Sequence, residues 1–176
     1  MDAKLHSLFD STADQLTELS KTISTLTDVK YTSESHALPG STIGKHVRHI
    51  LDHFSLLFSA LAVDPHPAVS YSRRERNSFA QDSVAGGVAS IEAMAQTARD
   101  LRDQPNAHST DPITISDTMP GGNDEQFMST LGRELWFCTH HMIHHNAIIA
   151  SLMHEFGLHP PTQFAYAPST IKHKPQ

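Results

Sequence analysis

Apolar residues recur along this chain at steps of three and four in four separate stretches, with polar residues between them. That spacing puts one buried stripe on an α-helix. The first stretch runs from about Ala3 to about Thr27 on Leu5, Leu8, Leu16, Leu19, Ile23 and Leu26. From Asp28 to Gly40 the period is lost, and the segment ends on Pro39-Gly40, which reads as a connection. A second helix starts at Ser41 or Thr42, either of which can cap a first turn, and its stripe is Ile43, Val47, Ile50, Phe54, Leu57 and Leu61. It stops ahead of Asp64-Pro65-His66-Pro67, because proline cannot continue the helical ladder. Ser83 caps a third helix that reaches about Asp103 on Val84, Val88, Ile91, Met94, Ala95, Ala98 and Leu101, with Gly86 and Gly87 weakening its first turns. The fourth runs from about Ser129 to Phe156. Its stripe is Leu131, Leu135, Cys138, Met142, His145, Ile149, Leu152 and Phe156, and Gly157 stands where a left-handed C-cap belongs.

Long connections cover 63–82 and 104–123, and only Ile113 to Ser116 in the latter alternates as a strand does. The tail, residues 158–176, carries prolines at 160, 161, 168 and 175 and reads as an extended strap, not a further helix. The pattern therefore predicts an all-α chain: an antiparallel four-helix bundle with long connecting loops, one domain over residues 1–176.

Composition narrows what such a bundle does. The chain has 176 residues, enough to bury a continuous core, and a formal net charge of −6, which argues against a surface that grips nucleic acid. A single cysteine, Cys138, excludes a disulfide framework and a cysteine-based zinc finger. No apolar run approaches the roughly 20 residues needed to cross a bilayer, and Met1 to Asp10 has no signal-peptide pattern, so a cytoplasmic protein without membrane contact is expected. Histidine is the outlier. There are 14, against 13 lysines and arginines together, and His46, His49, His53, His140, His141, His144 and His145 fall in two short windows.

In the fourth helix His140 pairs with His144 and His141 with His145 at i, i+4, which stacks two imidazoles on one face within reach of a shared metal ion. His145 sits on the apolar seam, where an unpartnered ring nitrogen costs about 1–3 kcal/mol. The second helix offers His46, His49 and His53. By helical wheel His46 and His53 lie nearer the centre of the stripe and His49 at its edge, and geometry does not choose among them. A third ligand from this helix would complete a three-histidine site with open positions for water or substrate. Hydrogen-bonded core histidines without a metal are the plainer alternative. Neither histidine pair has glutamate in its second position, which excludes a zincin. Asp52 and Glu134 are the nearest acids, able to orient a ligand or act as a base, or simply to face water.

The stretch Thr42-Ile43-Gly44-Lys45-His46-Val47-Arg48-His49 resembles the second-helix signature of the DinB/YfiT-like metal-binding bundles. There a small hydroxyl and an aliphatic residue precede a ligating histidine by seven and six positions, so the resemblance selects His49. His141-Met142-Ile143-His144-His145 is similar to the family's HxxHH, whose first and last histidines bind metal. The family's usual Arg-Gly-Gln is replaced here by Asn146-Ala147-Ile148. The resemblance implies a divalent transition metal (zinc, nickel or iron) on His49, His141 and His145, a small-molecule substrate, and frequently a homodimer. Activities of the family include thiol-dependent S-transfer, which brings a thiol cosubstrate, and hydrolysis. A Tyr-x-x-Arg-x-Arg stretch, here Tyr71, Arg74 and Arg76, resembles a subgroup of the family. With Arg73 these residues offer a carboxylate or phosphate dock, or a set of loop ion pairs with Glu75 and neighbouring acids. Cys138, one turn before His141 on the seam, reads as core and not as a nucleophile. The resulting expectation is a metal-dependent hydrolase or thiol S-transferase, with a non-catalytic metal-binding or stress-response bundle as the alternative.

Overall fold

In the computed structural model, residues 2–63, 68–73, 79–104 and 107–173 are described. Four long helices form among them: α1 (Ala3–Ile23), α3 (Ile43–Leu61), α5 (Val84–Arg102) and α6 (Leu131–Glu155). Each starts on a side-chain oxygen that accepts the third following N–H: Asp2 from Leu5, Thr42 from Lys45, Ser83 from Gly86 and Thr130 from Arg133. The long helices close a ring in which α1 packs on α5 and α6, and α3 packs on the same two. Leu5, Phe9, Leu16, Ile23, Ile50, Phe54, Leu57, Ile91, Leu135, Met142 and Ile149 fill its centre. At the far end of α6, Gly157 takes φ 74°, Leu158 N donates to Met153 O and Gly157 N to His154 O, a double closure of the last turn.

The connections hold more structure than the hydrophobic period shows. α1 ends at Ile23, not Thr27, because Thr27 caps a separate turn of helix, α2 (Asp28–Thr32), by accepting from Lys30 N. Tyr31 of α2 is fully buried and donates its hydroxyl hydrogen to Ala80 O at 2.6 Å, beside the short α4 (Phe79–Asp82). It reaches this place because α3 and α5 each present a glycine to it. A Cβ on Gly44 would lie 2.8 Å from Tyr31 Cε1, and one on Gly87 2.3 Å from Tyr31 Oη. The glycine expected to weaken α5 is what lets the ring in.

The expected short strand is one arm of a hairpin: β1 (Pro112–Thr118) pairs antiparallel with β2 (Asp124–Thr130). The all-α expectation needs that addition. β2 escapes a sequence reading because it buries no stripe, with Phe127 and Met128 exposed. The hairpin also fastens the segment after α3. Val69 N donates to Thr114 O at 2.9 Å and Ser116 N to Val69 O at 2.8 Å, while Asp117 Oδ1 accepts from Ser72 N and Ser70 Oγ. The tail is not only a strap: Phe164 joins the core, and α7 (Pro168–His173) follows, with proline where a helix start needs no N–H. Among the described residues no helix is long and apolar enough to cross a membrane.

Candidate metal centre

Where α3 lies against α6, the histidines of the two helices face one another. His49 Nε2 stands 3.1 Å from His141 Nε2, and His145 Nε2 stands 3.1 Å from the same atom. The ring centroids of His49, His141 and His145 are separated by 5.2, 4.6 and 4.6 Å. Two nitrogens bound at 2.0–2.1 Å to one ion lie about 3.0–3.4 Å apart, and the His49–His141 and His141–His145 distances both fall in that range. All three expected ligand residues are thus brought together. The set whose ring nitrogens all lie within 4.8 Å of one another is His49, His53 and His141, with His53 in the place expected of His145. His53 Nδ1–H donates to His49 O at 3.0 Å, which leaves Nε2 with a free lone pair.

His46 has a different place. Its Nδ1 lies 2.8 Å from His145 Nδ1, and its Nε2 lies 2.7 Å from Ser41 Oγ. The row Ser41–His46–His145–His141–His49 is a continuous hydrogen-bonding path that the wheel did not reveal, since Ser41 precedes the helix. His140 and His144 are exposed, and His140 stacks on Trp136.

Burial pushes His49 and His141 down to about 4 and His145 to about 3, with repulsion from neighbouring imidazoles adding to each. His46 and His53 are lowered for the same first reason, His53 against the pull of its bond to the His49 carbonyl. At neutral pH the cluster is therefore uncharged, the form in which imidazole gives its lone pair to a metal.

The walls show what the nearby acids do. Glu134 is fully buried and accepts from Ser129 Oγ at 2.5 Å, Arg133 Nη1 at 2.8 Å and Tyr71 Oη at 3.0 Å. It is neither a solvated helix residue nor hydrogen-bonded to an imidazole; it anchors Tyr71, whose ring stacks on His53 at 5.1 Å and 9°. Burial and the Glu134 and Cys138 contacts raise the Tyr71 hydroxyl far above its ordinary range, so it stays protonated as a donor. Cys138 Sγ donates to Tyr71 Oη at 3.5 Å, and burial pushes the thiol up to about 12, a core residue as its seam position implies. Asp52 is half-buried, with Arg48 Nε 3.7 Å from its Oδ2. A cavity of about 490 Å³ opens over the cluster, lined by His46, His49, His53 and His145 with Tyr71 and Asp52 among its walls. Arg74 and Arg76 lie outside the described residues.

A model of the DinB family matches residues 1–174. The chain is 32% identical over 107 residues to FK506-binding protein 5 of Rhizopus delemar, a match that covers 60% of this chain and 27% of that protein. No solved structure matches the chain. With a family model that spans 174 of 176 residues, and with the histidines of the second and fourth long helices facing one another, the chain belongs to the DinB family.

Proposed function

We propose that this chain is a metal-dependent enzyme acting on a small molecule, with one divalent ion (zinc, nickel or iron) held by His49, His141 and His145. The observation that carries this reading is the approach of His49 Nε2 and His145 Nε2 to His141 Nε2, 3.1 Å each, between two helices at the base of an open cavity. An ion there lowers the pKa of a water or thiol that it binds towards neutrality, which serves hydrolysis or thiol S-transfer.

The chain's own residues prepare that chemistry. With Nε2 of His145 given to the ion, its Nδ1–H donates to His46 Nδ1, and His46 Nε2–H donates to Ser41 Oγ, so each proton in the row has one acceptor. Tyr71 is held upright by Glu134 and covers one side of the cluster; the substrate contacts are Tyr71, Arg74 and Arg76. A thiol cosubstrate and a homodimer belong to the same reading.

A non-catalytic metal-binding bundle is the second reading, favoured by His53, which puts a fourth imidazole within reach of His49 and His141. Elemental analysis of the protein purified without added metal or histidine tag separates the two. The enzyme reading expects about one equivalent of a transition metal, lost in His49→Ala, His141→Ala and His145→Ala, kept in His53→Ala, and turnover in thiol-transfer or hydrolysis assays with that ion. Loss in His53→Ala with retention in His145→Ala would move the third ligand to His53. A chain that binds metal at more than one equivalent and turns nothing over supports the second reading, and a chain without metal overturns both.

A further inference from the structure

The charged residues of the cavity do not match those of the chain. Net charge is −6 overall, yet among the described residues the ionic side chains lining the cavity are Lys45, Arg48, Arg73 and one acid, Asp52. We propose that Arg48 and Arg73 form an oxyanion subsite in this cavity, so that the molecule acted on at the metal carries a carboxylate or a phosphate at its other end. The inference rests on the preceding reading for what the cavity does, but not for its charge.

Of the three cations, Lys45 is already committed: its Nζ donates to Gly40 O at 2.7 Å and lies 3.8 Å from Glu34. Arg73 makes no ion pair among the described residues. It is nonetheless well placed, because Asp117 clamps Ser70 Oγ and Ser72 N, and Arg73 N donates to Ser70 O. A long cationic side chain on a pinned turn loses less freedom when it closes on a ligand.

Arg48 is the stronger witness. Its Nη1 donates to Gln81 Oε1 at 2.6 Å, which fixes one corner of the guanidinium. Its Nε is buried and has no hydrogen-bond partner among the described residues, and the nearest carboxylate oxygen, Asp52 Oδ2, stands at 3.7 Å, beyond hydrogen-bond length. A buried N–H without an acceptor is a cost the fold carries unless a ligand oxygen relieves it. Guanidinium recognises planar and tetrahedral oxyanions with paired donors, and a half-enclosed cavity screens that attraction less than open water does. Since Arg48 adjoins His49 on α3, an anion held there also fixes which end of the substrate faces the imidazoles.

The test uses the full chain loaded with cobalt(II), whose visible spectrum reports ligands entering its coordination. Propionate, with one carboxylate, engages the ion alone. Succinate and 3-phosphonopropionate offer a second anionic end, and whichever is preferred identifies carboxylate or phosphate as the natural group. At least one should bind about tenfold tighter than propionate, the gain expected of one charge-assisted contact. Arg73→Gln and the double variant R48Q/R73Q should reduce that advantage, the double variant to within about twofold of parity, with cobalt content and propionate affinity unchanged. Equal affinities for all three ligands in the unaltered chain, or an advantage that survives both variants, would overturn the subsite. A chain that takes up no cobalt refutes the metal reading separately. The subsite is then read on the metal-free chain by NMR of the arginine Nε–H groups: shifts at Arg48 and Arg73 on adding succinate support it, and unmoved resonances overturn it.

Discussion

The two helix pairings of this bundle use the same period to opposite ends. Between α1 and α5 the inward positions are Leu16, Leu19, Ile23, Ile91, Ala95 and Ala98, and the buried hydroxyl of Thr22 returns to a carbonyl of its own helix. Nothing there requires a partner from outside. Between α3 and α6 the same three-and-four spacing delivers His49, His53, His141 and His145; His53 Nδ1 and His145 Nδ1 have partners in the His49 carbonyl and His46, and the Nε2 atoms of His49, His141 and His145 meet one another. A seam of hydrocarbon is complete once packed, whereas a seam of imidazole is complete only in one arrangement of protons or metal.

The sharpest way to break the comparison is on the hydrocarbon side. Leu16→Ala should cost about 2–5 kcal/mol by opening a cavity, and calorimetry should give the same loss in zinc and in chelator. A loss that depended on zinc would show the two seams to be coupled. Next in size, His46→Ala removes the partner of His145 Nδ1 while sparing the three expected ligands, and should weaken zinc about 10–100-fold in competition with a chromophoric chelator. Tyr71→Phe deletes one of three donors to the buried Glu134 carboxylate and should cost about 1 kcal/mol of chemical stability, with zinc affinity unchanged.

The gentlest test is pH. The histidines lie below their ordinary 6.5 when folded, so between that value and about 4 the unfolded chain binds more protons than the folded one. Stability of the metal-free chain is therefore full above pH 6.5 and falls as pH drops towards 4. Asp2 is shifted from 3.8 to about 2 by the N–H groups of Ser109 and Leu5, so its contribution is lost only in that lower window, which of the clustered histidines His145, at about 3, also enters. Two separate declines in a melting series would resolve the histidine seam from the helix cap. A single decline below pH 4 would show that the imidazoles are not burial-shifted.

What was legible follows from how much each element buries. The long helices show in the period, and their starts in Thr42 and Ser83, because stripe and cap are local signals. α2 and α4 are invisible to a periodic reading, since one or two turns cannot repeat a pattern; Tyr31 is the only buried residue of α2. α7 buries nothing at all. At the site, the residue types and the two windows are plain in the sequence, but the division of labour on α3 is not. His46, His49 and His53 all lie on the flank towards α6, and which touches what depends on a sideways offset that no linear spacing encodes. His46 meets His145, His49 meets His141, and His53 bonds back to its own helix beneath Tyr71. Glu134 read as a candidate base because its anchor role needs Tyr71, 63 residues away in sequence.

The wedge of Tyr31 between Gly44 and Gly87 sets an alignment tolerance for this chemistry. It works as a locating pin at the head of α3: Gly44 lies two positions before His46, and even one added carbon there would sit 2.2 Å from Gln81 O. A methyl group at that point cannot be absorbed locally, so α3 must tilt or slide, and the histidines travel with it. A fraction of an ångström gained at Gly44 then reappears as a misfit between nitrogens that have to meet across two helices. The mechanical precision of the imidazole cluster is thus held by a phenol and two glycines that never touch it.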